Sequence, residues 1–152
     1  MAGTRRRIAL RPATAADTDF ARDVHHQSYR EVVERQFGSW DPVFQDCRFA
    51  DDWASGSCSI VLCDGQPCGY LCLDERADQL RVREIVIAPA FQGRGIGTAL
   101  LQRVLRRAGE RPLPVRLGAL HANRAAALYR RLGFREIGRT PTHLLFEWRP
   151  PS

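Results

Sequence analysis

The chain contains no lysine, and all 23 of its basic residues are arginine. A phosphate-binding P-loop ends in Gly-Lys-Ser or Gly-Lys-Thr, so the absence of lysine excludes that class of nucleotide site. The sequence has no apolar run of about eighteen residues, and no apolar segment follows the charged stretch from Met1 to Arg7. We therefore expect neither a membrane span nor a signal peptide, and a cytoplasmic protein with no membrane partner.

Paired metal-binding cysteines are also missing. The five cysteines, Cys47, Cys58, Cys63, Cys68 and Cys72, show no Cys-x2-Cys spacing and no histidine partners. Their number is odd and export signals are lacking, which favours reduced thiols over a disulfide scaffold. We expect no metal site, and we expect the cysteines to serve as small buried hydrophobic residues.

The composition predicts a single domain over residues 1–152. A chain of 152 residues, 44% of them hydrophobic, is long enough for one core and too short for two ordinary domains. The net charge is +6, but seventeen acidic residues are interspersed with the arginines. No helix-turn-helix, zinc-finger or RNP pattern accompanies the charge, so a nucleic-acid-binding protein is the weaker interpretation and we expect no nucleic-acid partner.

Hydrophobic periodicity predicts the element order β-α-α-β-β-β-α-β-α-β-β. The strands are expected at 8–12, 57–63, 67–74, 79–87, 115–120, 134–139 and 143–148. The helices are expected at 17–33, in a short segment ending near Asp52, at 95–108 and at 123–132. Strands that alternate only partly with helices indicate an α/β (α+β) protein.

A glycine-rich segment, Gln92-Gly93-Arg94-Gly95-Ile96-Gly97, lies between a predicted strand and a predicted helix. Glycine permits a tight turn that brings several backbone N–H groups close to a ligand, and the helix adds its positive N-terminal end. A dinucleotide fingerprint would place its third glycine where Thr98 stands, so that class of site does not fit. The segment predicts a binding site for some other phosphorylated ligand.

Two motifs identify a family. The Gln-x-x-Gly-x-Gly spacing, behind a strand that ends Ile87-Ala88-Pro89, resembles the acyl-coenzyme A loop of the GNAT N-acetyltransferase superfamily. The segment from Asn123 to Phe134 is similar to the Asn-x-x-Ala-x-x-Leu-Tyr-x-x-x-Gly-Phe signature of the same superfamily. The resemblance implies the GNAT fold, a mixed, mostly antiparallel central sheet that splays between strands 4 and 5 and is flanked by four helices. It also implies direct acetyl transfer from acetyl-CoA to a primary amine, without a metal or a covalent enzyme intermediate.

The resemblance also implies where acetyl-CoA binds. The pantetheine arm would pair with the backbone of the fourth strand, and the pyrophosphate would meet the amides of the glycine-rich segment. Asn123 would hydrogen-bond the pantetheine, although its position also fits an N-cap of the fourth helix. The expected acetyl-CoA residues are Ile85, Val86, Ile87, Gln92, Gly93, Arg94, Gly95, Ile96, Gly97, Thr98 and Asn123.

Three residues are candidates for proton transfer. The resemblance implies that the Tyr129 phenol protonates the departing thiolate, whereas its apolar neighbours also fit a core aromatic. Glu84, on the fourth strand, and His121, after the fifth, are candidate bases for the amine. The alternatives stay open: Glu84 can pair with neighbouring arginines, and His121 can cap the fourth helix.

The acceptor is expected to enter beside the first two helices, next to His25, Tyr29, Trp40 and Asp41. Asp41 would favour cationic acceptors, and Tyr29 and Trp40 also fit a role in sealing the core edge. We expect the partner to be a small-molecule amine or a protein or peptide amine. We expect the protein to be a monomer or a homodimer. The alternative function is a non-catalytic acyl-CoA-binding sensor or interaction module of the same fold.

Overall fold

One sheet with a hydrophobic layer on each face organises the chain in a computed structural model that describes residues 7–152. Its seven strands in this part of the chain are β1 (Ile8–Pro12), β2 (Cys58–Cys63), β3 (Gln66–Glu75), β4 (Leu80–Ile87), β5 (Val115–Leu120), β6 (Arg135–Arg139) and β7 (His143–Trp148). The four α-helices are α1 (Thr18–Phe37), α2 (Pro42–Ala54), α3 (Ile96–Glu110) and α4 (Ala126–Arg131).

The strands lie in the order β1-β2-β3-β4-β5-β7-β6. Every neighbouring pair is antiparallel except β4 and β5, which are parallel and are connected through α3. A parallel pair needs a crossover, and α3 provides it. The predicted element order and the mixed, mostly antiparallel sheet with four helices are confirmed.

The sheet splays where β4 and β5 part. The two strands pair only through Leu80–Val82 and Val115–Leu117, and β4 then continues without β5 to Ile87. A β-bulge lies at the same point: Cys72 of β3 faces Glu84, while the next residue of β3 faces Val82, so Arg83 is the extra residue. A bulge bends its strand and increases the local twist. The predicted splay between the fourth and fifth strands is confirmed.

Each face of the sheet has its own hydrophobic cluster. On one face the apolar stripe of α3 is fully buried at Leu100 and Leu101 and packs with Phe146 of β7. On the other face Val24 of α1 and Phe49 of α2 pack against β3 and β4. Each buried side chain of this size stabilises the fold by about 1.5–3 kcal/mol relative to an exposed one. The helices are thereby held on opposite sides of the splay.

Two helix boundaries differ from the predicted ones. Helix α1 continues past Val33 to Phe37 and ends at Gly38, whose φ of 87° is the left-handed conformation that glycine favours. Helix α4 begins at Ala126 rather than at Asn123. The Asn123 side chain instead accepts a hydrogen bond from Ala125 N at 2.9 Å, which stabilises the turn before the helix. A side-chain-capped turn and a helix start look alike in sequence.

The cysteine prediction is wrong for one pair. Cys58 of β2 and Cys72 of β3 form a disulfide with a Cα–Cα distance of 4.1 Å. They lie directly opposite each other in the antiparallel register, a relation that the sequence does not display. Cys63 and Cys68 are buried thiols and Cys47 is an exposed thiol.

No helix within residues 7–152 is long and apolar enough to cross a membrane. Within the same range no three His, Cys, Asp or Glu side chains are grouped as metal ligands would be.

Gly69 tests the close packing of β3 on β4. A Cβ at Gly69 would collide with the backbone oxygen of Val86, which no side-chain motion can relieve. We expect Gly69→Ala to lower the free energy of unfolding by about 1–3 kcal/mol. Gly109→Ala is the control: its Cβ meets no atom within 4 Å in α3, so helix propensity should raise stability by about 0.5–1 kcal/mol. Chemical denaturation measures both, and equal stabilities of the two variants would contradict the tight β3–β4 packing.

Candidate active site

A cavity of about 510 Å³ lies at the splay, between α1 and α2 on one side and β4, β5 and β7 on the other. The side chains around it come from six secondary-structure elements and from the loops beside them. They include His25, Tyr29, Asp41, Gln45, Arg48, Asp52, Arg81, Arg83, Glu84, Asn123, Tyr129 and His143. A cleft with convergent polar groups inside an apolar shell is the usual form of a small-molecule site.

Helix α1 is fastened across the splay by one glutamine. Gln36 donates to the carbonyl of Thr142 at 2.8 Å and accepts from Ala122 N at 2.9 Å. These two partners lie at the β6–β7 turn and just after β5. Gln36 therefore joins the C-terminal half of α1, which carries the cavity residues Val33 and Phe37, to the strands beyond the splay.

Glu84 is the carboxylate at the centre of the cavity wall. The bulge at Arg83 turns Glu84 toward α1, where the Tyr29 hydroxyl donates a hydrogen bond to its Oε2 at 2.7 Å. Burial raises the pKa of Glu84 to about 7, and the Tyr29 hydrogen bond opposes that rise. Glu84 forms no ion pair with an arginine among the described residues. At neutral pH this carboxyl group can therefore both release and accept a proton.

Tyr129 lines the same cavity from α4. Its ring packs edge-on against Phe134 and Phe146, with centroids 5.9 and 5.7 Å away. Burial raises the pKa of Tyr129 to about 12, and the negative charge of Glu84 raises it further in the same direction. Tyr129 is thus both a core aromatic and a protonated phenol open to the cavity, so the two interpretations of this residue are compatible.

The second candidate base lies elsewhere. His121 is exposed, its Nε2 lies 2.8 Å from the carbonyl of Thr140, and it does not line the cavity. The histidine that does line this side is His143 of β7, whose Nδ1 lies 2.7 Å from the Thr142 hydroxyl. The geometry therefore favours Glu84 over His121 as the group near a reacting amine.

The backbone of β4 directs hydrogen-bonding groups into the splay between β4 and β5. Hydrogen-bonded and non-hydrogen-bonded pairs alternate along an antiparallel ladder, and Ala88 N donates to Cys68 O at 2.7 Å. Counting back along the register, Val86 also points its N–H and C=O to β3, whereas Ile85 and Ile87 point theirs away from β3. Of the three residues expected to pair with pantetheine, Ile85 and Ile87 are therefore the two with suitable directions.

One of those groups already has partners. The carbonyl of Ile87 accepts from the Ser28 hydroxyl at 3.0 Å and from Gln92 Nε2 at 2.8 Å. Gln92 thus orients the turn after β4 rather than reaching outward. Ile85 keeps the backbone groups best suited to pair with an extended ligand.

The glycine-rich segment forms an open cradle before α3. Gly93 and Gly95 have φ values of 75° and 80°, and a Cβ at either would meet no atom within 4 Å. Within residues 7–152, nothing accepts a hydrogen bond from the backbone N–H groups of residues 93–98. Arg94 lies with its guanidinium 5.4 Å from the Phe91 ring centroid, and Ile96 is buried beneath the cradle. Unpaired amides at a helix start fit the pyrophosphate of acetyl-CoA.

The expected acceptor residues separate into two groups. His25 and Tyr29 line the cavity, and burial lowers the pKa of His25 to about 4, so this imidazole is neutral at physiological pH. Asp41 borders the cavity but its side chain accepts from Phe44 N at 3.1 Å, as an N-cap of α2. Trp40 does not line the cavity, and its ring packs 5.2 Å from that of His26.

The sequence analysis missed several cavity residues, among them Gln45, Arg48 and His143. Gln45 and Arg48 are three residues apart on α2, and Asp52 follows four residues later, so helical spacing aligns them on one face. This helical spacing could have predicted from the sequence that the three residues lie on one face. The position of His143 depends on the register of β7 beside β5, and the sequence contains no signal for that register.

Comparison with known proteins identifies the family. Residues 54–136, more than half of the 152-residue chain, match the family model described as "Acetyltransferase (GNAT) domain". The chain belongs to the GNAT acetyltransferase family.

Two curated relatives cover the chain to different extents. An uncharacterized N-acetyltransferase of Methanocaldococcus jannaschii is 26% identical in an alignment of 142 positions that covers 84% of this chain and 60% of that protein. The mycothiol acetyltransferase of Acidothermus cellulolyticus is 51% identical over 51 residues, 34% of this chain and 15% of that protein. The chain thus spans 60% or less of the length of these relatives.

Solved structures share the whole fold. PaiA N-acetyltransferase from Thermoplasma acidophilum, in complex with coenzyme A, aligns with a TM-score of 0.73 at 14% identity over 94% of this chain and 99% of that one. The ribosomal-protein-S18-alanine N-acetyltransferase of Escherichia coli aligns with a TM-score of 0.69 at 16% identity over 96% of each chain. At these identities the likeness establishes the fold.

The raised pKa of Glu84 gives a test of its burial. Its pKa lies near 7 in the folded chain and near 4.5 in the unfolded chain, so the folded state holds the proton more tightly. The free energy of unfolding must then fall as pH rises from about 4.5 to about 7 and change no further above that range. Glu84→Gln removes this loss, so its stability relative to wild type should rise by about 3 kcal/mol between pH 4 and pH 8.

Glu110→Gln, at an exposed position of α3, is the matched control and should show no such rise. Urea denaturation at the two pH values measures all three proteins. A stability difference for Glu84→Gln that stays constant with pH would show that Glu84 titrates as an ordinary exposed carboxyl group.

Proposed function

We propose that the chain is an N-acetyltransferase that moves an acetyl group from acetyl-CoA to a primary amine by direct transfer. The observation that carries the proposal is the presence of Glu84 and Tyr129, a carboxyl group and a phenol, in one cavity at the open edge of β4. Acetyl transfer to an amine needs one group that accepts a proton and one that donates a proton. The cavity supplies both.

Glu84 is the proposed general base. Only a neutral amine attacks an acyl carbon, so an ammonium form first loses a proton to solvent, and the nitrogen loses its second proton to Glu84 as the amide forms. A pKa of about 7 leaves a substantial fraction of Glu84 ionised at neutral pH, ready to accept it. The Tyr29 hydroxyl holds the carboxylate in place through its 2.7 Å hydrogen bond.

Tyr129 is the proposed acid for the departing coenzyme A thiolate. Its raised pKa keeps the phenol protonated, so it can donate a hydrogen bond to the sulfur as negative charge develops. None of the described cysteines lines the cavity, which supports direct transfer over a cysteine-bound acyl intermediate.

The acetyl-CoA molecule would lie along the splay. Its pantetheine amides would pair with the backbone of Ile85, and its pyrophosphate would occupy the cradle of residues 93–98. Both sets of groups are unpaired within residues 7–152, and those of Ile85 point toward the open edge of β4. When bound there, the coenzyme would supply the activated acetyl group to the cavity that Glu84 and Tyr129 line.

Gly95→Asp tests the cradle. The new carboxylate would stand among the unpaired amides and repel the pyrophosphate, so acetyl-CoA binding should be lost while the fold survives. Gly65→Asp is a matched control in the β2–β3 turn, because its φ of 81° and open surroundings equal those of Gly95, at 80°. Thermal shift with acetyl-CoA is the measurement, since stabilisation follows RT ln(1 + [L]/Kd). Undiminished stabilisation of Gly95→Asp would place the coenzyme elsewhere.

Tyr129→Phe tests the proton donor. The ring packing is retained while the hydroxyl is lost, so kcat should fall about tenfold or more with the KM for acetyl-CoA little changed. Tyr70→Phe is the control, because Tyr70 is equally buried but does not line the cavity. Acetylation of an amine panel with spectroscopic detection of released thiol measures kcat. An unchanged kcat for Tyr129→Phe would leave this tyrosine with a packing role alone.

The same assay separates an enzyme from the alternative function. A chain that binds acetyl-CoA but releases no thiol with any amine would be an acyl-CoA sensor of the GNAT fold.

A further inference from the structure

Two buried side chains at the cavity each carry a polar group that forms no hydrogen bond within residues 7–152: the Gln45 amide and Nε2 of His25. His25 of α1 is 5% exposed and Gln45 of α2 is 6% exposed. Among the described residues only Gln79 Oε1 is a fully enclosed side-chain polar atom that lacks a hydrogen bond. The amide of Gln45 and Nε2 of His25 form no hydrogen bond there either, so both must reach the open space of the cavity that they line. Buried polar groups are normally paired, and such an opening indicates a polar ligand.

Arg48 adds a positive charge to this pair. It lies one helical turn after Gln45, lines the cavity, and forms no ion pair with an acidic side chain in residues 7–152. Burial lowers the pKa values of His25 on α1 and His143 on β7 and the charge of Arg48 adds to this lowering, whereas for Glu84 on β4 the same charge opposes the rise in pKa that burial causes. The guanidinium therefore acts on groups from three sides of the cavity.

The acidic groups beside Arg48 are already engaged. Asp41 caps α2 through Phe44 N, and Asp52 lies 3.7 Å from Arg83. Glu84 accepts from Tyr29. The exposed guanidinium of Arg48, which forms no ion pair in residues 7–152, and the buried unpaired amide of Gln45 thus lie on one face of α2 at the cavity, opposite Glu84.

The tautomer of His25 adds an acceptor to these donors. His26 Nε2 lies 2.6 Å from Asp46 Oδ1 and therefore donates to it. When His26 is neutral, its Nδ1 accepts from His25 Nδ1, which lies 2.9 Å away. Nε2 of His25 then carries a lone pair toward the cavity and can accept from an ammonium group.

Resting on the acetyl transfer proposed above, we propose that the acceptor is a small amine that carries a carboxylate, as an amino acid does. Arg48 and Gln45 bind the carboxylate, and the amine lies toward His25 and Glu84. A guanidinium offers several N–H donors in a geometry that matches a carboxylate, and an amide NH2 offers two more. This proposal differs from the cationic acceptor that the sequence predicted from Asp41, because Arg48 adds a positive charge that favours a carboxylate.

The test compares each acceptor with its own carboxamide. The protein amino acids and β-alanine are offered both as free acids and as carboxamides, with spermidine as a cationic amine. The carboxamide has the less basic amine and so the larger neutral fraction, which means that a preference for the acid cannot arise from amine ionisation. We expect the best free acid to exceed its carboxamide at least tenfold in kcat/KM, and to exceed spermidine.

Variants assign the preference to this face of α2. Arg48→Gln should reduce the ratio of acid to carboxamide at least tenfold, through the acceptor KM, and leave the KM for acetyl-CoA unchanged. Gln45→Leu should reduce it less. Arg135→Gln, at an exposed arginine of β6, is the charge-matched control and should keep the wild-type ratio. A ratio that Arg48→Gln leaves intact would overturn the proposal.

A binding measurement separates this proposal from the acetyl-transfer function. The N-acetyl derivatives of the same acids and carboxamides are titrated, by calorimetry, into the protein saturated with coenzyme A. Preferential binding of the acids that Arg48→Gln abolishes would support the carboxylate site even if no amine were acetylated, in which case the proposed transfer would fail alone. No preference for any acid in turnover or in binding would overturn the carboxylate site and leave the transfer untouched.

Discussion

The parting of β4 from β5 after three paired positions is the constraint on which the site depends. It opens a space inside a continuous sheet, and it leaves backbone groups of β4 without a partner strand. An unpaired buried backbone group costs about 1–3 kcal/mol, so a fold that keeps such groups must satisfy them with water or a ligand. The crossover through α3 then sets the glycine cradle beside the same edge. Cavity, open edge and cradle all follow from one interruption of strand pairing.

The bulge at Arg83 determines which side chain enters that space. Side chains alternate between the faces of a strand, so an extra residue changes the face on which every following residue lies. Beyond the bulge Glu84 and Val86 point to α1 and α2, whereas Ile85 and Ile87 pack with the cluster around α3. A strand without the bulge would place an isoleucine where the carboxyl group stands. A buried carboxyl group on one face and open backbone groups at the edge are thereby combined in the five residues 83–87.

The local parts of the site could be predicted from the sequence, and the distant ones could not. Six consecutive residues encode the glycine cradle, and the apolar residues between Leu80 and Ile87 mark the strand that carries Glu84. The disulfide of Cys58 and Cys72, and the choice of His143 over His121 as the cavity histidine, depend on the register between strands distant in sequence. A shift of one residue reverses every facing relation in a strand. Composition and periodicity carry no information about that register.

The charges in the cavity are coupled in a way that suits the proposed reaction. While Glu84 is ionised, its negative charge raises the pKa of Tyr129 and holds the phenol proton in place. Uptake of the amine proton neutralises Glu84 and removes that effect, so Tyr129 becomes a stronger donor after the base has acted. Glu84 takes up one proton and Tyr129 releases one, so the combined charge of these two side chains is the same before and after the two transfers. A buried carboxyl group near pKa 7 beside a phenol can therefore order the two proton transfers without any movement of the fold.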